Sequence, residues 1–233
     1  MEPTIKSVKF DQHSPSDTLN LACTVDARLA DLMCNDLSER GFSVQPSCLD
    51  LGLIAALQEQ VFALPHEEFN AAGVGRQKNF MRNDFIRSDE VCWIVGDTEA
   101  GAAWLQWTES LRLAINQRLF MGLFSFESHY ARYRPGARYK RHLDAFRGNS
   151  NRVLSIVAYL NNDWLQQDGG ELVLYRDQKD RVGLKVTPVA GTVVLFLSEV
   201  FPHEVLPASR DRYSVAGWYR INASSADQLD PPT

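Results

Sequence analysis

Apolar positions recur at helical spacing in the first half of the chain and at strand spacing in the second, with the change near residue 120. Asp26 to Arg40 carries Leu29, Leu32, Met33 and Leu37 with Gly41 just past the end, the pattern of an amphipathic helix stopped by glycine. Leu51 to Leu64 predicts a second helix, closed by Pro65, and Thr98 to Leu119 a third, in which Trp104, Trp107, Leu111 and Ala114 keep the i, i+3, i+4 spacing. From Leu123 onward short runs separated by turn signals predict strands: Phe124 to Tyr133, Arg152 to Leu160, Glu171 to Tyr175, Leu184 to Thr187, Thr192 to Leu197, Glu204 to Leu206 and Tyr213 to Ile221. With glycine turns at Gly169-Gly170 and Gly191, strands of this number and length suit an α+β chain: a double-sheet jelly roll with helices packed outside it. One domain is expected over 1–233, with helical support over 1–120 and a jelly-roll core over 121–221. Between the second and third helices, His66 to Glu90 reads as a long polar loop, and loops of that length in a compact domain are often functional lids.

With 45% hydrophobic and 23% charged residues the chain can bury a sizeable core, which sets aside disorder. Its 24 Lys and Arg against 29 Asp and Glu give a net charge of -5, so nucleic acid and anionic membranes are not expected partners. The longest apolar runs, Leu154 to Leu160 and Val193 to Leu197, are far short of the roughly 20 residues that cross a bilayer. No signal-peptide pattern opens the sequence, and Cys23, Cys34, Cys48 and Cys92 form no CxxC pair; a reducing cytoplasm is the expected location.

The candidate chemistry begins with Arg141-His142-Leu143-Asp144, which follows a run of strand character. Side chains two apart on a strand point to one side, so His142 and Asp144 can share a metal ion. Pro202-His203-Glu204 opens another short strand and offers a third ligand. Two imidazoles and a carboxylate on one face of an octahedral ion form the facial triad of non-haem Fe(II) oxygenases. Downstream, alternation places Arg212, Ser214, Ala216 and Trp218 on one face of a strand. If that face is the barrel interior, the Arg212 guanidinium needs an anionic partner, because burying an unpaired charge costs several kcal/mol. A ligand carboxylate held by the planar fork is one answer; a solvent-facing Arg212 paired with Asp211 or Asp180 is the other.

The strings YRPGARYKRHLD (Tyr133 to Asp144), RVLSIVAYLNNDW (Arg152 to Trp164), DGGELVLY (Asp168 to Tyr175), GTVVLFLSEVFPHEV (Gly191 to Val205) and RYSVAGWY (Arg212 to Tyr219) together resemble the prolyl hydroxylases of the hypoxia-inducible-factor type. Upstream, Phe85 to Ile94 resembles the same branch of the 2-oxoglutarate- and Fe(II)-dependent dioxygenases. The resemblance implies a double-stranded β-helix (jelly-roll, cupin-like) core with supporting N-terminal helices, and a prolyl 4-hydroxylase type of activity. It implies Fe(II) held by His142, Asp144 and His203, and 2-oxoglutarate and dioxygen as co-substrates, with ascorbate as an accessory the family allows. Arg212 would bind the distal carboxylate of 2-oxoglutarate, and Tyr159 would reach the same molecule. In the animal enzymes a tyrosine directly precedes Pro-Gly; here Arg134 intervenes and the loop to the histidine is two residues shorter, which makes Tyr133 the counterpart and leaves open which tyrosine near Pro135 meets the co-substrate. Tyr139, Arg152 and Trp218 match positions around the prolyl substrate's entrance. No general base is required, so His13, His66, His129 and Glu204 read as surface or packing residues. The implied partner is a protein carrying the target proline, with elongation factor Tu suggested by bacterial members, and the loop from His66 to Glu90, with Arg76, Lys78, Arg82 and Arg87, is expected to fold over it. Two other readings remain open: a cupin-like module that binds metal or a small acid without turnover, and a nucleic-acid demethylase of the same iron class, which the acidic charge disfavours.

Overall fold

A computed structural model of the chain describes residues 23–71, 87–145 and 151–222. Each helix starts where the sequence supplies a side-chain cap. The Asp26 carboxylate accepts from the backbone N–H groups of Arg28 and Leu29 and opens α1 (Ala27–Arg40), which Gly41 ends in the left-handed conformation at φ 76°. Asp50 caps α2 (Leu51–Ala63) in the same way, and the Thr98 hydroxyl accepts from Gly101 N–H at the head of α3 (Glu99–Leu119). Of the loop expected over His66 to Glu90, the described part begins with a short 3-10 turn at His66–Glu68; Arg76, Lys78 and Arg82 lie outside the described residues, as does His13.

The strands, in chain order, are β1 (Phe42–Gln45), β2 (Asn70–Ala71), β3 (Glu90–Trp93), β4 (Leu123–Tyr133), β5 (Tyr139–His142), β6 (Arg152–Tyr159), β7 (Leu172–Leu174), β8 (Leu184–Val186), β9 (Val193–Leu197), β10 (His203–Val205) and β11 (Arg212–Ile221). They form a major sheet in the order β1-β9-β6-β11-β4-β3-β2 and a minor sheet in the order β5-β10-β7-β8. Pairings between these strands are antiparallel.

Alternation along the strands of the major sheet divides the core in two. Leu154, Ile156 and Ala158 of β6, with Val193 and Leu195 of β9, pack against Leu53, Leu57, Trp104 and Leu111 of the helices. The intervening Tyr159, Val194 and Phe196 face the other way and meet Leu172, Leu174 and Val205 of the minor sheet. The run Val193–Leu197 reads as continuously apolar because both of its faces are covered. The helices thus brace one face of the major sheet and leave the space between the two sheets for the site. No helix among the described residues is long and apolar enough to cross a membrane.

Candidate functional site

His142 ends β5 and His203 begins β10, and the pairing of those strands sets the two residues opposite each other with ring centroids 4.2 Å apart. Each imidazole directs its Nδ1 at the carbonyl two residues earlier, His142 at Lys140 O (2.8 Å) and His203 at Phe201 O (3.1 Å). A carbonyl only accepts, so both Nδ1 atoms carry the proton and both Nε2 lone pairs are left for a cation. The Asp144 carboxylate completes the group, with Oδ1 3.5 Å from His142 Nε2 and Oδ2 3.7 Å from His203 Nε2. One ligand atom from each residue lies within 4.8 Å of the others, the geometry of a cation site.

One detail departs from the strand argument. β5 stops at His142, and Asp144 lies in the bend that follows, so its carboxylate is not placed by strand alternation. Ser155 of β6 places it instead: its hydroxyl donates to Asp144 Oδ2 at 2.6 Å and sits 2.9 Å from the Ser198 hydroxyl. Burial alone would raise the Asp144 pKa, but the two imidazoles and the Ser155 hydrogen bond outweigh it and hold the carboxyl well below its ordinary range. Burial and the neighbouring His142 push His203 down to about 4, against the pull of Asp144, so its imidazole is neutral and competent as a ligand at neutral pH. A charged carboxylate and two imidazoles with their Nε2 atoms turned toward it fit the donor set of a facial-triad Fe(II) centre.

Register orders the remaining wall. Along β4 and β11 the inward residues pair as Tyr133 with Arg212, Ala131 with Ser214, His129 with Ala216 and Glu127 with Trp218. At one end Arg212 is 1% exposed, so its guanidinium is truly interior. Its Nε donates to the Gly170 carbonyl (2.8 Å) and its Nη1 to the Ser214 hydroxyl (3.2 Å), while among the described residues no carboxylate pairs with it. Asp211 pairs with Arg132 and Asp180 with Arg176, which removes both of the internal acids considered for it. The rings of Tyr133 and Tyr159 lie 4.9 and 5.1 Å from the guanidinium carbon. The Tyr159 hydroxyl is buried without a hydrogen-bond partner among the described residues, and burial raises its pKa to about 12 although Arg212 pulls it down. A buried guanidinium without an acid beside a phenol without a partner is what a bound carboxylate would satisfy.

At the other end, Tyr139 stacks on the His142 ring at 3.5 Å, and the Trp218 indole lies under the Arg152 guanidinium at 3.8 Å. Three further cavity residues escaped sequence reasoning in this role. Arg87 lines the cavity and forms a two-pronged pair with the buried Asp89 (2.7 and 2.9 Å). Ser155 is the carboxylate's anchor. His129, read from sequence as a surface or packing residue, is 3% exposed and lines the cavity beside Trp218. Glu204 points away from the cavity's chemistry, accepting from the Tyr175 hydroxyl. A signal for His129 and Ser155 did exist, since each shares strand parity with an assigned residue, but only register shows which parity faces inward.

Residues 128–220 match the 2OG-Fe(II) oxygenase superfamily. Among solved structures, a Pseudomonas putida prolyl-4-hydroxylase is 42% identical with a TM-score of 0.73, over 83% of this chain and 99% of that one. A Trichoplax adhaerens prolyl hydroxylase, solved with a fragment of the hypoxia inducible factor oxygen degradation domain, is 29% identical with a TM-score of 0.74, over 83% of this chain and 90% of that one. Human "Prolyl hydroxylase EGLN3" is 29% identical over 147 residues, 58% of this chain and 59% of the human protein, so the chain spans about three fifths of the length of that relative.

Proposed function

Since the chain belongs to the 2OG-Fe(II) oxygenase superfamily and is homologous to its prolyl hydroxylases, we propose that it hydroxylates a prolyl residue of a polypeptide, consuming 2-oxoglutarate and dioxygen at an Fe(II) ion. The observation that carries this reading is the co-location of two unsatisfied demands in one cavity: a triad of cation ligands, and an interior guanidinium that no carboxylate among the described residues meets. His142, Asp144 and His203 would hold the iron, and bound there it supplies, with 2-oxoglutarate and dioxygen, the oxidising power to place one oxygen atom on a C–H carbon, with succinate and carbon dioxide as co-products.

The chain's own part is to bind and orient. Arg212, fixed by the Gly170 carbonyl and Ser214, receives the far carboxylate of 2-oxoglutarate as an ion pair, and the free hydroxyl of Tyr159 donates to the same group. Tyr133 closes that end with its ring. Ser155 aims the Asp144 carboxylate, and the two main-chain carbonyls fix the imidazole tautomers. Apolar lining from Val157, Leu172 and Phe196 keeps water from the reacting region. Tyr139, Arg152 and Trp218 receive the target proline, an apolar ring suited to aromatic walls. A polypeptide target is supported by the Trichoplax homologue, whose structure holds a peptide fragment. Elongation factor Tu is the target we propose, on the sequence resemblance to bacterial members alone.

The test is mass spectrometry of elongation factor Tu and other candidate proteins after incubation with the enzyme, Fe(II) and 2-oxoglutarate. A one-oxygen gain on a proline, matched by succinate, is expected, and it should vanish for His142→Ala and His203→Ala. Binding of 2-oxoglutarate without any succinate would make the chain a binding module rather than an enzyme. Oxidation of a different protein would keep the activity and displace elongation factor Tu.

A further inference from the structure

Four cross-strand layers run along the cavity wall from Arg212, and the fourth brings together Glu127 of β4, Trp218 of β11 and Ser155 of β6. In and next to this layer the Trp218 indole has two defined neighbours. The Arg152 guanidinium lies 3.8 Å from its ring centroid, and the His129 imidazole lies 5.5 Å away at a tilt of 56°. Trp218 is 8% exposed and its Nε1 has no acceptor among the described residues, so among them no hydrogen bond at its polar edge fixes the ring. Glu127 holds the guanidinium: Arg152 Nε and Nη2 both meet Glu127 Oε1, at 2.8 and 2.6 Å, while Arg220 Nη1 stands 4.0 Å from Oε2. The side-chain contacts of Glu127 among the described residues are with Arg152 and Arg220, and it lies three layers from Arg212.

Resting on the prolyl hydroxylase reading above, we propose that Glu127 is a positioning residue for target capture: through Arg152 it pins the Trp218 indole in the plane that receives the target proline. The alkyl and π surface of Trp218 is useful to a pyrrolidine ring only in one orientation, and an indole alone can rotate about two side-chain bonds. A guanidinium stacked on one face removes that freedom, provided it is itself anchored, and a carboxylate meeting two of its nitrogens is the anchor. The His129 imidazole, 5.5 Å from the indole and tilted by 56°, is a second neighbour of the ring. Because Ser155 is the cross-strand neighbour of Trp218 and also the donor to Asp144, the plane of the indole is referenced to the carboxylate arm of the cation site. Glu127 therefore sets where the target ring lies relative to the reacting centre without touching either.

The experiment compares wild type, Glu127→Ala, Arg152→Ala and the double variant in two assays. In the first, the KM for a proline-containing target and the KM for 2-oxoglutarate are measured side by side. Glu127→Ala is expected to raise the target KM about tenfold, the effect of releasing one stacked cation, with the KM for 2-oxoglutarate within about twofold of wild type. In the Arg152→Ala background the same change should add nothing. In the second, 19F NMR of 5-fluorotryptophan-labelled protein, with the Trp218 resonance assigned through Trp218→Phe, reads the ring directly and needs no target. The resonance should shift and broaden in Glu127→Ala and recover in Glu127→Gln in part. An unchanged Trp218 resonance in Glu127→Ala overturns the proposal. So does a rise of both KM values together. If the resonance responds but no prolyl target is ever oxidised, the positioning by Glu127 holds and the proposed reaction is what fails.

Discussion

Ser155 shows how much of the site rests on one hydroxyl. Its bond to Asp144 Oδ2 is 2.6 Å, and Asp144 is the one ligand that no strand holds in place. Replacing Ser155 by Ala is expected to lower divalent-metal affinity about 10- to 100-fold, the usual cost of losing a hydrogen-bonded support of a ligand. Anaerobic calorimetric titration with Fe(II) measures this, and an affinity equal to wild type would show that Ser198 or the bend itself aims the carboxylate. His129 makes a second residue-scale prediction. Burial, with Arg87 adding to it, holds its imidazole down at about 4, below the ordinary 6.5. The unfolded chain therefore binds a proton between these values that the folded chain does not, so stability is full above about pH 6.5 and falls as pH drops toward 4. The slope from one such proton is at most about 1.4 kcal/mol per pH unit. Urea unfolding of wild type and His129→Gln at pH 7 and pH 5 should show the shallower loss in the variant; parallel losses would mean that His129 is not the group responsible.

At the scale of elements, the loop carrying Gly170 couples a turn to ligand binding. Gly170 has φ +70°, its carbonyl accepts from Arg212 Nε, and a Cβ there would come within 2.9 Å of Ala208 Cβ and 3.2 Å of Arg212 Cδ. Gly170→Ala should cost about 1–3 kcal/mol of stability from the left-handed backbone. It should also raise the KM for 2-oxoglutarate by moving the arginine, while the KM for the target changes less. Thermal unfolding and steady-state kinetics read the two effects, and a stable variant with normal oxo-acid affinity would contradict this role for the turn. The helices were legible in the sequence because each had a periodic run with a marked end, Gly41 after α1, Pro65 after α2 and Thr98 at the head of α3, and the long strands because turn signals such as Gly169-Gly170 and Gly191 separate their runs. β1, β2 and β3 were not. They have two to four residues, no longer than β7, β8 and β10, but lie in the half of the chain whose apolar spacing is helical, and exist because the edges of the major sheet offer partners distant in sequence. The same division holds for the site. His142, Asp144, His203 and Arg212 stood out as charged or ligating residues in recognisable strings, whereas Glu127, His129 and Ser155 acquire meaning only from cross-strand neighbours.

For the molecule as a whole, the cation ligands join the strand β5, the bend after it and the strand β10, and both strands belong to the thinner sheet, whose strands are three or four residues long. A bound ion should therefore tie this sheet together and stabilise the fold by mass action, about 2.7 kcal/mol at a free concentration a hundred times Kd. Adding Fe(II) anaerobically, or Mn(II) as a slower-reacting substitute, is expected to raise Tm, and a chelator to reverse it. His203→Ala should unfold at the same temperature with and without metal. A metal-induced rise that survived in that variant would place the stabilising ion elsewhere.

Both imidazoles are tethered by carbonyls of their own main chain, two residues upstream, and not by side chains. Such tethers cannot be erased by exchanging an amino acid at a neighbouring position, since every residue type brings the same carbonyl. The two nitrogen arms of the centre are thus inherited with the path of the backbone, and mutational drift can reach the aim of the centre chiefly through its oxygen arm.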